Sequence, residues 1–268
     1  MRFEITYETQ GFIDIPYNYN YSVHYSLCNL MKKYLSGFPD THDHNCPFFK
    51  NGILRFFTFS NLKFNNCDRN EYGFHNVKSI SLVFSSPLSD QFFPVLAEIF
   101  TQHTLILHFE KKPVRLYAEN IIHLESIDIT GEEKFTTLSP VVVCGKGYSP
   151  DSLNCHYLDY TKEKEKEFYV QQLHQNLLFK HNLLYNFEFD EPHEFEFEFD
   201  TEYIKRRSGN IRKNISYRLI PEKENYTHII GMEAPFTIKT HPKLIKIGYQ
   251  CGFGEHNNSG FGLVKPAR

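Results

Sequence analysis

The chain contains no tryptophan and only 3 methionines among 268 residues, and none of its 6 cysteines falls in a Cys-x-x-Cys pair. That missing spacing excludes a zinc knuckle, and scattered cysteines do not make a small disulfide framework. The thiols are expected to be reduced and used mainly in packing. No stretch approaches the roughly 18 apolar residues that span a bilayer. The opening MRFEITYETQ carries the charges of a strand rather than the apolar core of a signal peptide, so a cytoplasmic protein with no membrane attachment is expected. Excess positive charge is also lacking: 29 Lys+Arg stand against 32 Asp+Glu, for a net charge of −3. Nucleic-acid binding therefore cannot rest on overall basicity and needs a local patch.

What is abundant is aromatic. The sequence has 26 Phe and 17 Tyr, which predicts a packed, sheet-rich interior. Phe3, Ile5 and Tyr7 alternate with Arg2, Glu4 and Thr6, the period of a half-buried strand. The spacing of Val23, Leu27, Leu30, Met31 and Tyr34 then predicts a helix over residues 21–35, stopped by Gly37 and Pro39. Strands are expected at 54–59 and 79–85, a helix at 88–100 with Pro94 in its first turn, and strands at 104–109 and 121–129. The order βαββαβ is that of a ferredoxin-like unit.

A second round begins at FTTLSPVVVC, a strand broken by Pro140, and a long helix is expected over 162–184. HEFEFEFDT alternates as a strand, and KRRSGNIRK reads as a hairpin turning at Ser208-Gly209-Asn210. Further strands are expected at 236–239 and 245–249. The fold class is thus α+β, with two tandem ferredoxin-like (RRM-like) domains at residues 1–133 and 134–268. Lys205, Arg206, Arg207, Arg212, Lys213 and Arg218 come without an intervening acid, a charge density that suits a phosphate backbone or simply a solvated hairpin tip.

The chain spends 4 of its 14 glycines on the eleven residues GFGEHNNSGFG, at Gly252, Gly254, Gly260 and Gly262. Glycine allows positive φ and leaves room for a ligand against exposed N–H groups. It equally serves a tight loop packed where a Cβ would clash, and spacing alone does not choose. Neither G-x-G-x-x-G nor a terminal Gly-Lys-Ser/Thr is present.

The ending IGYQCGFGEHNNSGFGLVK resembles, almost residue for residue, that of the CRISPR-associated endoribonucleases of the RAMP superfamily. IPYNYNYSVHYSLCNLMKKYL, LRFFTFSNL, FTTLSPVVV and HPKLIKIGYQ resemble further segments of that family in the same order. The resemblance implies two tandem ferredoxin-like domains and cleavage within each repeat of precursor CRISPR RNA. It also implies a metal-independent reaction in which the ribose 2′-OH attacks, leaving a 2′,3′-cyclic phosphate and a 5′-OH. Such chemistry needs a base, a proton donor and a cation, and histidine exchanges protons near neutral pH.

The family's catalytic histidine lies between the first helix and FTFS. Here FPDTHDHNCPFFKNGILRFFTFS offers His42, followed by Asp43, with His44 as the rival. Arg55 matches a position where some members carry a lysine that stabilises the transition state. Cys28 stands where some members carry a tyrosine, leaving Tyr25, Lys32 or Lys33 as substitutes. His42-Asp43-His44 could suggest a metal, but three consecutive residues seldom converge on one ion without further partners, and neither metal nor cofactor is expected. The RNA-binding residues implied are Lys205, Arg206, Arg207, Arg212, Lys213, Gly252, Gly254, Gly260 and Gly262. The expected partner is CRISPR repeat RNA, and membership of a CRISPR effector complex and a homodimer are both compatible. The alternative is a non-cleaving RAMP subunit or a catalytically silent repeat-binding member.

Overall fold

The computed structural model describes residues 1–34, 56–88, 90–109, 113–145, 156–218 and 226–267. The opening alternation forms β1 (Arg2–Pro16), with Phe3, Ile5 and Tyr7 fully buried. Helix α1 (Asn20–Tyr34) follows, burying the stripe Val23, Leu27, Leu30 and Met31. The chain continues through β2 (Thr58–Phe59), β3 (Lys63–Asn65), β4 (Asp68–Arg69) and β5 (Gly73–Ser85). A 3₁₀ turn leads into α2 (Phe93–Gln102), then β6 (Leu105–His108) and β7 (Pro113–His123).

The strand order is β2-β5-β1-β7-β6, with β3 and β4 also paired to β5, and every pairing is antiparallel. β7, β1, β5 and β2 therefore stand as the fourth, first, third and second strands of a ferredoxin-like sheet, and β6 extends its edge. The strand expected at 121–129 instead ends at His123. Thr6 faces Asn120 while Tyr7 faces Ala118, so Glu119 is an extra residue in the ladder. Such a bulge breaks the period-two signal at the middle of the strand.

The second half contains β8 (Glu132–Thr137), α3 (Glu163–Tyr185), β9 (Glu196–Phe199), α4 (Thr201–Arg206), β10 (Arg212–Arg218) and β11 (Tyr226–Met232). It ends with β12 (Phe236–Lys239), α5 (Pro242–Cys251) and β13 (Val264–Pro266). The order β13-β8-β12-β9 is again that of a ferredoxin-like sheet, and β10 with β11 makes a separate antiparallel ribbon. The protein is thus an α+β fold of two tandem ferredoxin-like units. One face of the second sheet buries the row Phe135, Phe236 and Phe199, whose neighbouring ring centroids lie 5.8 and 5.9 Å apart. In a chain without tryptophan, such phenylalanines supply the bulk, each contributing about 1.5–3 kcal/mol by burial.

Three local expectations are corrected. Residues 245–249 are helix, because Leu244, Gly248 and Cys251 continue a buried helical stripe and Pro242 sits in the first turn, where its missing N–H costs nothing. KRRSGNIRK is not a hairpin turn: Asp200 caps α4 by accepting from the Tyr203 N–H at 2.8 Å. Ser208 and Gly209 then leave that helix through positive φ. Finally, Cys144 is disulfide-bonded, while Cys28, Cys67 and Cys251 are free thiols.

Candidate functional site at the seam between the two units

The glycine-rich segment runs from the end of α5 to β13 and is almost wholly buried. Gly252, Gly254, Gly260 and Gly262 all adopt φ between +73° and +92°. A Cβ on Gly254 would stand 2.1 Å from the Val142 carbonyl oxygen, and one on Gly260 2.4 Å from the ring of Phe59. These glycines thus let the loop lie directly on the 138–142 segment and on the first unit. Backbone bonds fix that position: Glu255 N–H donates to Val142 O at 2.8 Å, Gly262 N–H to Pro140 O at 2.8 Å, and Leu138 N–H to Leu263 O at 2.7 Å.

Lys180 on α3 was not anticipated by the sequence reading. Its buried ammonium donates to the carbonyls of Gly252 (2.7 Å) and Gly254 (2.6 Å). Burial lowers its pKa to about 8, against the opposing pull of Cys251 and Glu255. The signal was present: Tyr169, Leu173 and Leu177 form a buried stripe that Lys180 continues. A lysine in such a stripe must find acceptors.

From the first unit, α1 meets the loop at the 3₁₀ turn Asn257–Ser259. His24 Nδ1 lies 2.5 Å from the Asn258 carbonyl oxygen, and Asn20 Nδ2 donates to Ser259 O at 3.4 Å. Thr58, at the start of the TFS segment, donates to Phe261 O at 2.8 Å. Phe57 stacks on His24, with centroids 6.2 Å apart and planes at 10°. Tyr217 of β10 closes the group, its ring edge-on to Tyr21 at 5.6 Å. The first helix, the segment after the histidine stretch, the glycine loop and the strand carrying Arg212 and Lys213 therefore converge on one seam.

The titratable groups at this seam are constrained. Burial lowers the His24 pKa, the bond to Asn258 opposing, and burial pushes the Cys28 thiol up to about 12. Cys28 therefore stays a neutral thiol at neutral pH and supplies no base. His42, His44 and Arg55 lie outside the described residues. Tyr19 is buried, its hydroxyl accepting from the Leu62 N–H at 3.1 Å, so it presents no ring to a ligand.

The basic residues are divided rather than gathered on one hairpin. Lys205, Arg206 and Arg207 are exposed at the end of α4, where cations also suit the helix dipole. Lys205 pairs with Glu202 at 2.7 Å, and the guanidiniums of Arg206 and Arg207 sit 5.9 and 5.6 Å from the Tyr203 ring. Arg212 and Lys213 open β10, also exposed, with Arg212 Nε 3.7 Å from Asp159.

Among the described residues, one group brings three potential metal-ligand atoms within 4.8 Å: Cys144, Glu255 and His256. A sulfur held in a disulfide is no thiolate, so this set does not fit a metal. Burial instead shifts its other two members, raising Glu255 to about 7 and lowering His256 to about 4.

These histidines fix a pH response. His24, His174, His181 and His256 all have folded pKa values below the ordinary 6.5, with burial the first cause. At these histidines the unfolded chain binds more protons below pH 6.5, so their contribution to stability falls as pH drops. Glu255 acts with the opposite sign, because its contribution is present below pH 4.5 and is lost as pH rises through about 7. For His256 the full shift is worth about 3 kcal/mol, accumulated between pH 6.5 and about 4. Urea midpoints measured at pH 7 and pH 4.5 are expected to show net destabilisation on acidification, with a smaller loss in His256→Gln. An equal loss in that variant would remove His256 from the account.

A family model described as CRISPR associated protein Cas6, C-terminal, matches residues 123–266. The CRISPR-associated endoribonuclease Cas6 1 of Methanocaldococcus jannaschii is 26% identical over 267 residues, covering 98% of this chain and 92% of its own length. A solved CRISPR associated protein Cas6 matches 100% of this chain and 99% of its own with a TM-score of 0.70 at 24% identity. A RAMP protein described as binding different RNA substrates matches 100% of both chains, with a TM-score of 0.71 at 18% identity.

Proposed function

The chain belongs to the CRISPR-associated Cas6 family, and on that footing we propose that it is an endoribonuclease cutting the repeats of precursor CRISPR RNA. The observation that carries this reading is the seam itself, where α1, the TFS segment, the glycine loop and β10 meet. The histidine stretch leaves α1 and rejoins the described chain at Phe56, next to the Phe57 that stacks on α1. In this proposal residues 1–133 supply the chemistry and 134–268 the grip, although β8 already begins at Glu132.

The reaction proposed is attack of the 2′-OH on the adjacent phosphate, leaving a 2′,3′-cyclic phosphate and a 5′-OH without a metal. His42 takes the 2′-OH proton, with His44 as its rival or as the acid for the leaving oxygen. Arg55 neutralises the phosphorane through paired hydrogen bonds. Lys205, Arg206, Arg207, Arg212 and Lys213 contact phosphates. Gly252, Gly254, Gly260 and Gly262 hold the loop along which the RNA lies.

The test is cleavage of repeat RNA in EDTA, repeated with the scissile 2′-OH replaced by hydrogen. Cutting is expected in the first case and none in the second. Loss of cutting in EDTA, restored by a divalent cation, overturns metal independence, whereas cutting of the deoxy substrate overturns the 2′-OH as nucleophile. The second reading, a catalytically silent repeat-binding member, is favoured by the inert Cys28 thiol at a position where some members carry tyrosine. Binding without cutting in both experiments selects it.

A further inference from the structure

We propose that Tyr21, Tyr25 and His108 form a stacking platform for one unpaired base of the bound RNA, an inference that rests on the reading above. Tyr21 and Tyr25 sit one turn apart on α1, and their rings stack at 6.0 Å with 21° between planes. The His108 ring stands edge-on to Tyr25 at 6.2 Å and 83°. This row is braced from behind. Ser22 donates to the His108 carbonyl at 3.1 Å and Ser26 to that of Ile106, stitching α1 to β6. Tyr217 supports Tyr21 edge-on from β10.

The front is open: Tyr25 is 38% exposed and His108 is exposed. A ring row held rigid on one side and left to solvent on the other costs little to order on binding. Aromatic faces accept any base by stacking, which suits a single strand. Positive charge lies alongside, because exposed Lys213 shares its side of β10 with Ile215 and Tyr217 by strand alternation. Phosphates flanking a stacked base would find that charge. Tyr17, 46% exposed, is held differently: its hydroxyl donates to Asn70 O at 2.7 Å and its ring stands edge-on to Phe74 at 5.1 Å.

The experiment uses the full chain and repeat RNA made uncleavable by a scissile 2′-deoxy, with 2-aminopurine placed singly at each position in turn. Wild type is expected to quench fluorescence at a position that Tyr25→Ala no longer quenches. Tyr25→Ala should also bind about tenfold more weakly, with only the modest fall in melting temperature that losing one partly exposed ring causes. Tyr25→Phe should retain both properties, and His108→Ala should weaken the same position only. Wild-type affinity and quenching in Tyr25→Ala overturn the platform while leaving repeat binding intact. Equal loss in Tyr25→Phe also overturns it, because the hydroxyl rather than the ring would then be responsible. Failure of the wild-type chain to hold repeat RNA overturns the functional reading itself, and the platform with it.

Discussion

His42→Ala is expected to slow cleavage of repeat RNA by about 10²–10⁴-fold, the usual contribution of a positioned acid or base, while affinity for an uncleavable repeat stays within about twofold. The expectation follows from what else is available at the seam. His24 is partly buried, and that burial lowers its pKa although the bond between its Nδ1 and the Asn258 carbonyl opposes the shift; the same bond turns the ring toward the loop. Cys28 stays a thiol, since burial raises its pKa to about 12. Burial likewise raises the pKa of the Tyr217 phenol beyond reach of neutral solution. None of these replaces a missing imidazole, so the loss should be deep and not rescued by mildly alkaline buffer. Single-turnover rates at saturating protein isolate the chemical step. Normal cutting by His42→Ala with loss in His44→Ala transfers the role to His44. Comparable partial losses in both would assign them as a base and acid acting together. If both variants cut normally, the histidine stretch is not catalytic.

The sequence made visible whatever a long period could carry. The stripe from Val23 to Met31 became α1 and the alternation at Phe3, Ile5 and Tyr7 became β1, because each pattern repeats enough to outweigh local noise. Short segments failed for a definite reason. IKIGY alternates over five residues as a strand does, yet a five-residue run cannot be told from a helical stripe until a topology demands a crossover. The bulge at Glu119 hid half of β7 by the same route, since one added residue reverses the faces.

The site was legible in parts and not as a whole. Glycine spacing pointed to the loop, but not to the loop lying between the halves, because contact between Gly260 and Phe59 joins residues far apart in the chain. Lys180 could be read as anomalous but its acceptors could not, since backbone carbonyls carry no sequence identity. The aromatic row was equally hidden: Tyr25 and His108 meet only once β6 packs beside α1. His42, His44 and Arg55 rest on resemblance, and mutation is their direct test.

Gly254→Ala is expected to destabilise the protein by about 2–5 kcal/mol, the sum of about 1–2 kcal/mol for a left-handed residue with a Cβ and about 1–3 kcal/mol for overpacking. At φ +73° the new Cβ would stand 2.1 Å from Val142 O and 3.2 Å from Val141 Cγ1. The nearest obstacle is backbone, itself accepting the Glu255 N–H at 2.8 Å, so it cannot swing aside as a side-chain tip would. Any shift also pulls the Gly254 carbonyl from Lys180, leaving a buried ammonium short of an acceptor. Gly209→Ala is the control, with φ +78° but nothing within 4 Å of the added methyl. It should cost only the conformational part, about 1–2 kcal/mol. Chemical denaturation of both variants separates close approach from backbone strain. Equal losses would show that the packing of the loop on Val142 is not why Gly254 is glycine. A fully stable Gly254→Ala that no longer bound repeat RNA would move the reason from the fold to the ligand, and with it the purpose of the loop's glycines.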